Sequence, residues 1–328
     1  MAAGRIISES RLGDVDIARK REMWANAQEQ LATRVCVPRT VGILEHYTKG
    51  ETEKGDSFTP SFALPQILLD EFDVSTLLGP QLQRDAEHRK TALSLPLMPL
   101  RYVGGVDISY VRGTNLAVAC LVIMEYPAMR VCRTIFHQCE VTEPYIPGFL
   151  AFREVAPLVE LIKKVKGESC EEETSVYPQL LLVDGCGVQH PLRCGLASHV
   201  GVILDIPTIG CAKNFMAVDG MTRESMHLLF ETSADDAHGA KKESLAPLVK
   251  PMIGRSGALW GYAATPNPSV RNPIFVSPGH LVGYAEAAAL VLSMCKHRVP
   301  EPIRVADLSS RDYIRRMNLS CSEVNSGG

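Results

Sequence analysis

Apolar positions fall into helix-period and strand-period stretches along most of the chain. Residues 14–36 carry Ile17, Trp24 and Leu31 at heptad spacing, with Val35 one turn later, which predicts an amphipathic helix. Asp14 or Asp16 stands where a cap would start it. The polar segment TKGETEKGDSFTPS follows and reads as a loop, and residues 61–92 hold only short apolar patches. From residue 100 the pattern becomes regular. Runs 101–111, 115–125 and 129–140 are rich in Val, Ile, Cys and aromatics and are separated by RGTN and a Pro-containing turn, which predicts an antiparallel meander. A helix is expected over 149–166, with Leu150, Leu158, Leu161, Ile162 and Val165 on one face and Pro157 kinking or restarting it. QLLLVDG reads as a buried strand, GLASHVGVILD as a helix and PTIGCAK as a short strand. After the polar break RESMHLLFETSADDAHGAKKES come strands GALWGYAAT and NPIFVSPGH and a helix over 281–297.

Three sequential antiparallel strands followed by alternating helix and strand imply a mixed sheet flanked by helices. The fold class is α/β, in the order of a ribonuclease H-like fold. The chain divides into an N-terminal helix over 1–37 packed on the main domain, an insertion over 38–98, a catalytic domain over 99–317 and a disordered tail over 318–328.

Composition narrows the class of protein. With 46% hydrophobic residues, the chain has enough apolar side chains for a large core. A net charge of −3 argues against a protein that holds nucleic acid by bulk positive charge, but not against one that meets phosphates through metals and local basic groups. The ten cysteines include no C-x-x-C pair, so zinc binding is only weakly indicated. No apolar h-region opens the chain, and the stretch closest to a membrane span, YAEAAALVLSMC, is too short and carries Glu286. The expectation is an intracellular monomer of cytoplasm or nucleus, with no membrane partner.

Three acids stand where acids are disfavoured. Asp107 interrupts the apolar run RYVGGVDISYV, Asp184 ends LLLVDG, and Glu154 lies within PGFLAFREVAPLVELI. Burying an unpaired carboxylate costs several kcal/mol, so each needs a donor, a cation or a metal. Bland roles compete: Asp184 as a helix cap or Asx turn, Asp107 facing solvent between inward Val106 and Ile108, and Glu154 on a wet helix face beside Arg153. PYIPG sets Tyr145 and Ile146 between two prolines, either as a stiff protrusion able to unstack bases or as an ordinary strand-to-helix turn. His280 in VSPGH is a candidate metal ligand or proton carrier, or a core histidine. Lys213 in GCAKNF seeks an anion. Arg311, Arg315 and Arg316 form a helical face that either tracks phosphates or is solvated surface.

Taken together, GGVDISY, PYIPGFLAFRE, LLLVDGCGVQHP, GCAK and VSPGH resemble the endonuclease V family in order from about residue 101 to 316, and REMWANAQEQLATRV resembles its N-terminal helix. The resemblance implies a Mg2+-dependent nuclease, with Mn2+ able to substitute, that cuts the second phosphodiester bond 3′ to inosine and leaves 3′-hydroxyl and 5′-phosphate ends. It implies Asp107, Glu154, Asp184 and His280 as metal ligands and Lys213 on the scissile phosphate or attacking water. Tyr145, Ile146 and Pro147 would form the base-separating wedge. Gly148, Leu150, Gly185, Gly187, His190, Gly195 and Leu196 would form the inosine pocket. Single-stranded RNA is the leading substrate, with deoxyinosine DNA the alternative. A nuclease of other specificity, such as a junction resolvase, would keep the carboxylates without wedge or pocket. A non-catalytic inosine-RNA binding protein would bind without cutting. An actin-like ATPase would need a glycine-rich phosphate loop that GVDISY lacks.

Overall fold

The computed structural model describes residues 3–37, 100–169, 176–235, 247–266, 270 and 272–317. Its elements run α1 (Ala3–Ala32), β1 (Tyr102–Tyr110), β2 (Leu116–Glu125), β3 (Arg130–Glu140), α2 (Leu150–Ser169), β4 (Leu180–Val183), α3 (Leu196–Leu204), β5 (Thr208–Ala212), α4 (Arg223–Asp235), β6 (Leu248–Ile253), β7 (Leu259–Thr265), β8 (Ile274–His280), α5 (Tyr284–Ser293) and α6 (Glu301–Arg316). The strands form one eight-stranded sheet in the order β3-β2-β1-β4-β5-β8-β7-β6. The meander is antiparallel, and β1, β4 and β5 lie parallel to one another, so the sheet is mixed as the element order implied.

Both faces of the sheet are packed. On one, Val103, Leu180, Leu182 and Ile209 meet Leu290 of α5 and Ile303 of α6. On the other, Val106, Leu181 and Val183 meet Leu158 and Ile162 of α2 and Val200 of α3. Successive strand side chains point to opposite faces, so Gly105 and Asp107 share the α6 side with Val103 while Val106 faces α2. Asp107 is therefore covered by a helix, and the solvent-facing alternative for it does not hold. The crossing of α6 over β1 is close: a Cβ on Gly105 would lie 2.1 Å from the Pro302 carbonyl carbon. Only glycine allows that approach.

The structure departs from the pattern-based expectations in four places. Helix α1 begins at Ala3, so Asp14 and Asp16 lie inside it and do not cap it. Helix α2 runs unbroken through Pro157, whose ring is buried beside Leu158; one lost N–H in a 20-residue helix is outweighed by the packing of its apolar face. Residues 223–235 of the polar break form α4, because Met226, Leu229 and Phe230 give it an apolar side against Met252 and Trp260. Strand β6 contains Pro251, which a sheet tolerates at its edge, and β6 is the edge. The insertion over 38–98 and the tail over 318–328 lie outside the described residues. Among the described residues no helix is long and apolar enough to cross a membrane.

Gly105→Ala should lower the unfolding free energy in a urea titration by about 1–3 kcal/mol through overpacking. Gly167, where an added Cβ meets no atom within 4 Å, is the control, and its change to Ala should not be destabilising.

Candidate active site

The acids converge because of the register of three parallel strands. Val106 is in register with Val183, and Val183 with Gly210, so Asp107 within β1, one residue beyond its last pairing with β4, Asp184 just past β4 and Lys213 just past β5 share one edge of the sheet. Ligands of open α/β sheets gather at that edge. Lys213 Nζ donates to Asp184 Oδ2 at 2.5 Å, and the Asp184 charge acts on the Asp107 carboxyl. From α6, Ser310 Oγ lies 3.4 Å from Asp107 Oδ2 and 2.7 Å from Ser109 Oγ. One turn earlier Asp307 faces the same space and is paired with Arg311 at 2.7 Å. From α2, Glu154 accepts a hydrogen bond from Tyr110 Oη at 2.9 Å. Arg153 Nε donates to the same hydroxyl at 3.3 Å, so Glu154 is held in a network and does not lie on a wet helix face.

Burial is the first electrostatic fact here. It holds the Asp107 carboxyl well above the usual carboxylate range, with the Asp184 and Asp307 charges adding to it and Lys213 opposing. Burial likewise raises Glu154 to about 7; the Tyr110 hydrogen bond pulls it down and the Asp184 charge pushes it up. For Lys213 burial acts downward, but Asp184, Asp107 and Asp307 outweigh it and its pKa is raised. Among the described residues no three His, Cys, Asp or Glu side chains already stand in metal-ligating geometry. The raised pKa of Asp107 and the Lys213 ammonium on Asp184 relieve the repulsion instead. An all-oxygen donor set under such repulsion fits a hard divalent cation, which would compete with protons for these carboxyls.

Two cavities meet at this cluster and share Asp107, Ile108, Asp184 and Lys213. One, of about 400 Å³, is walled by Gly148, Leu150, Gly185, His190, Gly195 and Leu196, with Glu154 at its acidic end and Tyr145 also lining it. The other, of about 680 Å³, is bounded by Asp307, Arg311 and Arg315 of α6. His190 braces the first: Leu192 N–H donates to its Nδ1 at 3.1 Å, so Nε2 carries the proton and donates to Gly148 O at 2.7 Å. Burial lowers the pKa of His190, in keeping with a neutral ring.

Three sequence-predicted residues fall elsewhere. His280 pairs with Thr208 at the start of β5, whereas Lys213 follows the end of that strand, so the histidine lies at the opposite edge of the sheet from the acids. It is buried, its pKa is lowered by that burial, and its Nδ1 accepts from Cys36 N–H at 3.1 Å. It fastens the chain after α1 and takes no part in the acidic cluster. Gly187 does not line the cavity; a Cβ there would lie 1.9 Å from Pro278 O, so its smallness serves packing against β8. In PYIPG, Tyr145 is 66% exposed but Ile146 only 3%, so the tip is Tyr145 with Pro147 while Ile146 anchors it. Asp307 and Gln28 are among the lining residues that the sequence did not mark. Asp307 sits in RVADLSSRD, where an acid among charges on a polar helix gives no signal. Gln28 lines the smaller cavity from α1, and only its place on the Trp24 side of that helix hinted at burial.

A family model described as Endonuclease V matches residues 83–308. The mouse protein named Endonuclease V is 39% identical over 222 residues, 66% of this chain and 61% of its own length. The human protein of that name is 37% identical over 222 residues, 66% and 73% of the two lengths. The match thus spans less than two thirds of the mouse protein. The crystal structure of the catalytic domain of human Endonuclease V superposes with a TM-score of 0.65 at 29% identity, covering 92% of this chain and 98% of that one. Ciona intestinalis Endonuclease V, solved with a 24mer DNA containing an inosine followed by a ribo-adenosine, superposes with a TM-score of 0.60 at 32% identity, covering 66% and 87%.

The buried acids make stability depend on pH. Glu154 ordinarily titrates at 4.5 but at about 7 in the fold, so between those values the folded chain binds a proton the unfolded chain lacks. Stability from this group is then fully present below about 4.5 and falls as pH rises toward about 7. Thermal unfolding in chelator should show that fall; Glu154→Gln should lessen it, with Asp107 supplying the rest, and added Mg2+ should flatten it. A profile flat in chelator would contradict the electrostatics described.

Proposed function

The chain belongs to the endonuclease V family, and we propose that it is a metal-dependent endonuclease directed at inosine in nucleic acid. The observation that carries this reading is the continuity of the acidic cluster with a cavity walled by small residues and backbone, with an exposed tyrosine among its lining side chains. Asp107, Glu154, Asp184 and Asp307 would hold Mg2+, with Mn2+ as a substitute, and His280 is left out of that set. When bound, the ion supplies Lewis acidity at the scissile phosphate and lowers the pKa of water. Lys213, freed from Asp184, meets the charge that develops on the phosphate. Water oxygen attacks phosphorus and the P–O3′ bond breaks; the attacking water loses a proton and the departing O3′ gains one, leaving 3′-hydroxyl and 5′-phosphate ends at the second bond 3′ to inosine.

The wall built from Gly148, Leu150, Gly185, His190, Gly195 and Leu196 lets peptide groups reach the edge of an extruded hypoxanthine and leaves little room for a 2-amino group. Tyr145, with Pro147, stacks in the gap the base leaves. Single-stranded RNA is the proposed substrate and deoxyinosine DNA the second reading. The ribose placed directly after inosine in the Ciona complex supports a ribonucleotide on that side of the base, within a strand that is otherwise DNA. Its proposed place of action is the cytoplasm or nucleus.

Matched oligonucleotides carrying ribo-inosine, deoxyinosine or adenosine test the reading. Wild type should cut one nucleotide beyond inosine only when Mg2+ is present, and Asp184→Asn should lose about a hundredfold or more. Binding without a cut would favour the non-catalytic alternative, and equal cutting at adenosine would remove the inosine pocket. Tyr145→Ala should cost about 1–3 kcal/mol of substrate binding with no loss of stability. Ile146→Ala should instead lower stability by about 2–5 kcal/mol in urea unfolding.

A further inference from the structure

Helix α1 is separated from the site by the whole insertion, yet it reaches the wall of the smaller cavity. Three contacts hold it there. Lys20 Nζ pairs with Glu143 at 2.6 Å, next to PYIPG. Trp24 stacks on Phe152 with ring centroids 5.0 Å apart and meets Phe149 at 6.1 Å. One turn further on, Gln28 is fully buried, its Nε2 donates to the Cys194 carbonyl, and it lines the cavity beside Gly195 and Leu196. The orientation of its amide is fixed by chemistry. A peptide carbonyl only accepts, so the NH2 end faces Cys194 and Oε1 faces away from it. Among the described residues Oε1 is buried and has no hydrogen-bond partner.

A buried acceptor without a donor costs free energy comparable to a lost hydrogen bond, and such an atom in the wall of a binding cavity is well placed to be satisfied by the ligand. We infer that Gln28 is a specificity-determining residue whose Oε1 accepts the N1–H of a bound hypoxanthine, an inference that rests on the inosine reading above. The chemistry separates the bases that matter. Hypoxanthine carries a proton on N1, whereas adenine presents a lone pair there, so an acceptor in the wall attracts the first and repels the second. Guanine also carries N1–H, so its exclusion belongs to the small-residue wall. The bond from Nε2 to Cys194 O keeps the acceptor aligned.

The test measures Mg2+-dependent cleavage of single strands carrying inosine, adenosine or purine riboside, which lacks both N1–H and the 6-oxygen, by wild type and Gln28→Leu. Wild type should prefer inosine. In Gln28→Leu, cutting at inosine should fall about tenfold or more. The penalty for purine riboside in place of inosine should shrink by a similar factor, since deleting both partners of one bond is not additive. The substrate change leaves the protein intact, so the wild-type penalty for purine riboside is read even if Gln28→Leu unfolds. A wild-type penalty below about threefold would then overturn the inference. An undiminished penalty in a folded Gln28→Leu, or equal losses on all three strands, would also overturn it and leave Gln28 a structural tie. If wild type cuts all three alike, the inosine reading itself fails, a result distinct from those.

Discussion

The fold is organised around carboxyls that it buries together. Asp107 sits in a strand packed on both faces, with Asp184 against it and Asp307 above it on α6. Hydrophobic contact alone would never select that arrangement, because each buried charge costs several kcal/mol before its partners are counted. Lys213 offsets part of the cost, and the remainder appears as carboxyls held above their usual range. Tightly packed elements keep the acids from separating: the parallel β1, β4 and β5 bring their ends together, and Gly105 lets α6 approach closely enough to set Asp307 and Ser310 beside Asp107.

Much of this was legible in the amino-acid sequence where local and tertiary demands agree. The three strands of the meander lie within a residue of their apolar runs, because alternation and turn chemistry mark the same borders. Asp107 and Asp184 stood out because an acid in an apolar strand has few other uses. The same logic misled at His280: a polar residue at a strand end looks alike at either edge of a sheet, and only the antiparallel register of β5 and β8 shows which edge it occupies. Ile146 was misassigned because two prolines imply a stiff protrusion but not which of the two residues between them turns inward. Asp307 was invisible because its neighbours on α6 are also polar. β6 was missed because Pro251 argues against any strand until its edge position is known.

Long-range structure carries the rest. Helix α1 and the pocket wall are 166 positions apart in sequence at the Gln28–Cys194 contact, so no local pattern could join them. That contact, the Lys20 pair and the Trp24 stack make the N-terminal helix part of the pocket wall. His190, neutral and bonded to Gly148 O, ties the tyrosine-bearing turn to the same wall. The pocket wall and the acidic cluster thus share one frame.

The most direct test of the central claim is calorimetric titration of the protein with Mn2+ near pH 6.5 in two buffers of different ionisation enthalpy. If the cation takes over the role now filled by protons on buried carboxyls, binding must release protons, and the heat will differ between buffers. The difference should shrink in Glu154→Gln and vanish when Asp107→Asn is added. Heat that is independent of buffer, or binding unchanged in the double variant, would contradict the account.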